Sequence, residues 1–116
     1  MYELRDLQRL KIILEKITYI EAIVKKYSGI SLALKDKEIA KPAILMHLIA
    51  MAEQFLKLKD PKFIELFSSA IKGSISIRNF IAHDYDGVNL SIVESTIREI
   101  LPGIKQDISE IVKELK

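Results

Sequence analysis

The sequence predicts an all-α protein, a bundle of four to five helices running up and down around one core. Three observations carry that expectation. Apolar residues recur at three- and four-residue steps along most of the chain, and no stretch shows convincing strand-like alternation. Glycines and prolines fall at the joints or weak points of those periodic segments. The 116 residues suit one domain, taken as 1–116. A chain of that size can bury a core without staples.

The elements follow in order. Leu7, Leu10, Leu14, Ile17, Ile20, Val24 and Tyr27 make one stripe on a first helix over roughly residues 3–27. Ser28-Gly29 is its natural stop, because glycine accepts the left-handed conformation after a helix end. "ISLALKDKEIAK" is ambiguous and allows a short helical turn. A second helix is in place by Ala43 and runs to about Leu58, with Pro42 starting or kinking it. Ile44, Leu48, Met51 and Phe55 form its stripe. Leu45, Ile49, Ala52 and Leu56 widen that stripe, which puts this helix at the centre of the bundle.

Asp60-Pro61 starts the third helix, an N-cap followed by proline at the first helical position. Phe63, Ile64, Phe67 and Ile71 face inward, Gly73 weakens the helix, and Ile75 and Ile77 resume the pattern. "DYDGVNL" is turn chemistry with Gly87 as terminator. Ser91 with Glu94 reads as a capping box for the fourth helix. Pro102-Gly103 separates a last helix that turns Ile104, Ile108, Ile111 and Leu115 inward.

Composition excludes several function classes. With no cysteine, the chain has no disulfide, no thiol nucleophile and no cysteine-ligated zinc, which is compatible with a reducing compartment. The start, "MYELRDLQRLKIILEK", is charged and amphipathic, unlike a signal peptide. "PAILMHLIAMA" is too short to span a bilayer. A soluble, cytoplasmic protein with no membrane partner is expected. Basic and acidic residues number 18 and 16, so an RNA partner must be held by a local site and not by a global field. There is no phosphate loop, no glycine fingerprint and no histidine–carboxylate cluster at metal-ligand spacing. No metal and no cofactor are expected. His47 reads as a partly buried or interface histidine. Glu53 reads either as an ordinary surface glutamate or as a carboxylate paired with a cation such as Arg78.

The densest polar cluster is "RNFIAHDY", residues 78–85. Histidine exchanges protons near neutrality. Arginine offers a planar fork of donors that matches phosphate oxygens. Cleavage of a phosphodiester by its own ribose 2′-hydroxyl needs a base, an acid and a cation, and no metal. Asn79 adds a neutral donor and acceptor, and Tyr85 a phenol on which a base could stack. The bland alternative is a satisfied histidine and a surface arginine at a helix end.

Spacing complicates cooperation. Residues five apart on an ideal helix differ by about 140° around the axis, so Arg78 and His83 do not share a face. Tyr85, seven residues from Arg78, does. Either the helix loosens near His83, or two chains meet across a two-fold axis that brings Arg78 of one towards His83 of the other.

"RNFIAHDY" resembles the Arg-polar-x-x-x-His motif of HEPN domains, in the Arg-x4-His-x-Tyr form of HepT-like toxins. Chain length, the position of the motif, the Ala52-Glu53 step and the tail "DGVNLSIVESTIREILPGIKQDI" are similar too. The run "SISIRN" before the arginine and the absence of tryptophan depart from many members, though not at a catalytic position. The resemblance implies a HEPN-type bundle that is the toxin of a type VII-like toxin–antitoxin module, a metal-independent endoribonuclease leaving a 2′,3′-cyclic phosphate. It implies Arg78 and His83 as the catalytic pair, Asn79 and Glu53 as supporting residues, and Tyr85 as the site of AMP addition. Its partners are RNA, a second copy in a homodimer, and an MntA-like nucleotidyltransferase antitoxin, with higher hetero-oligomers possible. AMP on Tyr85 occupies the arginine with the wrong phosphate and blocks the cleft. The alternatives are a non-catalytic HEPN nucleotide-binding or partner subunit of a nucleotidyltransferase, and a purely structural helical adaptor.

Overall fold

The computed structural model describes residues 4–114. Leu115 and the expected helix start at residue 3 lie outside the described residues. Helix α1 covers Leu4–Lys26, α2 Ile30–Lys35, α3 Ala40–Leu56, α4 Pro61–Leu66 and α5 Ser68–His83. A last rod contains α6 (Leu90–Ser95), a π-helical turn (Thr96–Ile100) and α7 (Leu101–Glu114). No strand occurs among the described residues. Four long segments form the bundle expected from the sequence, and α2 and α4 are short connectors. Helices as short as these two are not stable alone and are held by what they pack against.

Helix α3 is the centre. It packs against α1 on one side and α5 on the other, while α7 lies against α1. Its expected stripe is buried at Ile44, Leu48, Met51 and Phe55, and the widened face at Leu45 and Ala52. Each of the Ile, Leu, Met and Phe side chains among these contributes roughly 1.5–3 kcal/mol on leaving water. On α1, Leu10, Ile17 and Ile20 are buried as expected, and Ile13 joins them.

The joints differ in detail from the reading of the sequence. Helix α1 closes with the amide of Ser28 bonded to Lys25 O at 3.2 Å and that of Gly29 to Val24 O at 3.0 Å, the paired closure of a Schellman motif. Ser28, not glycine, takes the left-handed position at φ 61°. Gly29 follows at φ 149°, where a side chain is strained. Helix α3 begins at Ala40, so Pro42 sits within the first turn, where a missing N–H leaves no bond unmade. The opening of α3 is capped by the Asp36 carboxylate, which accepts from the amides of Glu38, Ile39 and Ala40 at 3.2–3.3 Å. Asp36 also accepts a short hydrogen bond from the Tyr27 hydroxyl. That bond raises the tyrosine pKa and lowers that of Asp36, and it ties the end of α1 to the start of α3.

Asp60 caps α4, accepting from the Lys62 amide at 3.0 Å. The break falls at Phe67 and not at Gly73. Phe67 leaves helical geometry at φ −102°, ψ 23° as its ring packs against Phe55 and Phe63, with centroids 5.7 and 6.4 Å away. Helix α5 then runs unbroken through Gly73. Ile64 and Ile75, expected on the inner face, are exposed, while Ile77 is buried.

Asn89 caps α6, accepting from the amides of Ser91 and Ile92 at 2.9 and 3.4 Å. This replaces the expected Ser91–Glu94 box, and Glu94 instead pairs with Arg98 at 2.8 Å. Pro102-Gly103 does not separate a helix. Proline lacks the N–H that would bond to Arg98, and the chain absorbs the loss by widening one turn just before it: the Leu101 amide reaches back to Thr96 O. Ile104, Ile108 and Ile111 are buried as expected.

Candidate functional site

The motif lies on the last two turns of α5 and the loop beyond it. Its apolar members hold the helix down: Ile77 and Ile81 are buried, and Phe80 packs at the edge of the core. The polar members are left on the remaining faces.

Asn79 and His83 are four residues apart, so they stack along one side of the helix. Together with Ser76 and Asp84 they line an open concavity at the end of α5. Both Asn79 and His83 are exposed. Ser76 was not picked out from the sequence, although it stands one turn before Asn79 on the same face.

Arg78 points elsewhere. Its Nη1 lies 3.6 Å from Oε1 of Glu53 on α3. The ion pair that the sequence allowed for Glu53 therefore forms. Side-chain exposures of 38% for Arg78 and 42% for Glu53 make it a screened pair worth about 0–1 kcal/mol. It aims the guanidinium without locking it. No hydrogen bond joins Arg78 to His83 among the described residues, as their angular separation on the helix requires.

The helix ends at His83. Asp84 takes φ −149°, ψ 79°. Tyr85 thus lies off the helix, and the expectation that it shares Arg78's face fails because the 3.6-residue repeat stops before it. Tyr85 is half-buried against the core. The loop that carries it is tied internally: the Asp84 carboxylate accepts from the Gly87 amide at 2.9 Å, and Asn89 caps the next helix. A Cβ at position 87 would meet the Asp84 carboxylate where it now lies, so any larger residue there would displace that carboxylate from its bond to the residue-87 amide. From the start of α3, Lys41 Nζ reaches the Asp86 carbonyl at 3.5 Å.

A second feature adjoins the concavity. An open, mainly apolar groove of about 570 Å³ runs between α5 and the α6–α7 rod. Gly73, Ile77 and Phe80 line one wall, Ile92, Ile100 and Ile104 the other. Ser76 and Phe80 belong to both hollows. Ile92 and Ile100 are about half exposed, at 46% and 52%.

His47 stands apart from the motif. Its ring lies 5.3 Å from that of Tyr19. Burial, and then the nearby Lys16 ammonium, lower its pKa from 6.5. It is half-buried, as the sequence suggested. No cluster of three or more metal-ligating side chains occurs among the described residues, and no helix among them is long and apolar enough to cross a membrane.

The residues Arg-x4-His-x-Tyr thus stand at the open end of α5 in an all-helical bundle. The family model described as "Ribonuclease HepT-like" matches residues 7–111. The chain belongs to the HepT-like ribonuclease family. No curated protein and no solved structure matches it.

Proposed function

We propose that this protein is an RNA-cleaving toxin working as a single 1–116 HepT-like unit in the cytoplasm, in a type VII-like module with an MntA-like nucleotidyltransferase antitoxin. The observation that supports this best is His83, exposed at the end of α5 in a concavity shared with Asn79, in a chain of the HepT-like family. The reaction is metal-independent transesterification. One imidazole takes the proton from the ribose 2′-hydroxyl, whose oxygen attacks phosphorus. A second imidazole protonates the departing 5′-oxygen, and a 2′,3′-cyclic phosphate remains. The Arg78 guanidinium stabilises charge on the phosphoryl oxygens.

The two imidazoles come from two chains. His83 and Arg78 lie on different sides of α5, and each chain brings one motif histidine. An isologous dimer offers both histidines and both arginines to one cleft. The apolar groove beside the concavity supports a second copy packing on this face, since exposed isoleucines beside a polar site favour association. Glu53 aims Arg78, and Asn79 offers a hydrogen bond to the substrate.

Silencing acts on Tyr85. The antitoxin's nucleotidyl transfer joins the tyrosine oxygen to the α-phosphorus of ATP, with pyrophosphate leaving. The resulting AMP adds an anion and a base beside the cleft.

The test is RNA incubated with the purified, unmodified protein in EDTA. Cleavage to 2′,3′-cyclic ends is expected, with His83→Ala slower by about 10²–10⁴-fold, the usual contribution of a general acid–base group. Equal activity of the two proteins overturns the assignment. Nucleotide binding without cleavage supports the partner-subunit reading instead.

A further inference from the structure

Lys41 breaks three local rules together. Lysine is among the residues least often buried, yet Lys41 is 9% exposed. A cation is unfavourable at the positive end of a helix, yet Lys41 is the second residue of α3. A lysine with so little exposed surface normally has a charged partner, yet no carboxylate lies in ion-pair range of its ammonium among the described residues. Its ammonium instead reaches across the chain to the Asp86 carbonyl at 3.5 Å, the residue that follows Tyr85.

The other hydrogen bonds of the 84–89 loop are local. Asp84 to Gly87, and Asn89 to Ser91 and Ile92, set the shape of the loop but not its position on the bundle. Val88 is buried and Tyr85 half-buried, but apolar contact is non-directional. Among the described residues, the Lys41–Asp86 bond is the directional tie between this loop and another element.

We infer that Lys41 is a positioning residue: it anchors the Tyr85 loop to the start of α3 and so sets how Tyr85 and the end of α5 are presented. The anchoring stands on geometry alone, whereas its effect on cleavage rests on the function proposed above. The lysine stem is buried for packing, and the head holds a carbonyl of the motif loop. That arrangement accounts for a cation kept at an electrostatically poor position.

The test compares wild type, Lys41→Met and Lys41→Arg as whole chains. Methionine keeps the apolar stem and removes the donor, and arginine restores a cationic donor. Amide hydrogen exchange is read across residues 85–88, with the amides around Leu48 as internal control. Exchange in Lys41→Met is expected to be roughly fivefold faster in the loop, the scale of one lost hydrogen bond, and unchanged in α3. Lys41→Arg stays close to wild type. RNA cleavage by Lys41→Met falls in kcat with KM little changed, and arginine rescues it. Loop exchange that is the same in wild type and Lys41→Met overturns the anchoring. Should the methionine variant not fold, wild-type loop amides exchanging at free-peptide rates overturn it equally. A loosened loop with undiminished kcat overturns the positioning role. If wild type cleaves no RNA, the proposed function fails, and hydrogen exchange still decides the anchoring.

Discussion

Arg78 meets Glu53 and not His83: the guanidinium lies 3.6 Å from the Glu53 carboxylate, on a different side of α5 from the concavity that holds the imidazole. Within one chain the two motif residues are held apart by the helix that carries them. The two-chain site proposed above answers that separation, and it has a direct consequence for mixed dimers.

His83→Ala mixed with wild type tests whether one cleft uses both histidines. Random exchange at equal amounts leaves about a quarter of the dimers with two His83 side chains and about half with one. Each mixed dimer lacks either the base or the acid, so activity should fall to about a quarter of that of the same amount of wild type. Cleavage of a fluorogenic RNA by the mixture, after a cycle of mild unfolding and refolding, measures this. Retention of about half the activity, as independent one-histidine sites would give, rules the composite site out.

Glu53→Gln tests the aiming of Arg78. The pair is solvent-screened, so the unfolding free energy from urea titration should change by less than about 1 kcal/mol. The kcat/KM for RNA should fall roughly tenfold, because loss of orientation at a reacting phosphate is costly. A large stability loss with unchanged kcat/KM contradicts this role.

Tyr85→Phe removes the oxygen proposed to accept AMP. Co-expressed with an MntA-like nucleotidyltransferase, the wild-type chain should gain the mass of one or more AMP units, and the variant none. Intact-mass spectrometry reads the outcome directly, and an adduct persisting on the variant moves the modification to another residue.

Asp6→Ala tests the fold rather than the site. The Asp6 carboxylate is fully buried. It accepts from the amides of Lys59 and Asp60 at 2.9 and 2.6 Å and from Arg9 at 3.1 Å, joining the start of α1 to the α3–α4 connection. Its loss strands two backbone donors and an arginine, which should cost about 2–4 kcal/mol in a urea titration.

His47 should make stability depend on pH. Its folded pKa is lowered from 6.5, chiefly by burial, so the folded state binds the proton more weakly than the unfolded chain does. Stability is then fully present above about pH 6.5 and declines as the pH falls through that value towards the folded pKa. His47→Gln should flatten that limb of the curve in thermal melts, and an unchanged slope excludes His47 as its source.

Much of this protein is legible in its sequence. The buried lines of α1, α3 and α7 follow from apolar spacing, because a 3.6-residue repeat leaves a helix only one side to bury. The Asp60-Pro61 start is equally local. The motif and the Glu53–Arg78 pair could be named because few polar residues interrupt the apolar pattern. The misjudged joints have tertiary causes. Phe67 breaks a helix to join an aromatic cluster. Pro102 is absorbed by a widened turn. Asn89 takes the cap because the loop before it is shaped by Asp84 and Gly87.

What the sequence alone determined is the all-helical class, most of the core faces and the motif, since each depends on neighbours a few residues apart. Tertiary structure decided which side of α5 each motif residue serves, that Tyr85 leaves the helix, and that Lys41 holds its loop from 45 residues away. Those relations depend on side chains meeting across the bundle, and no local periodicity encodes such meetings.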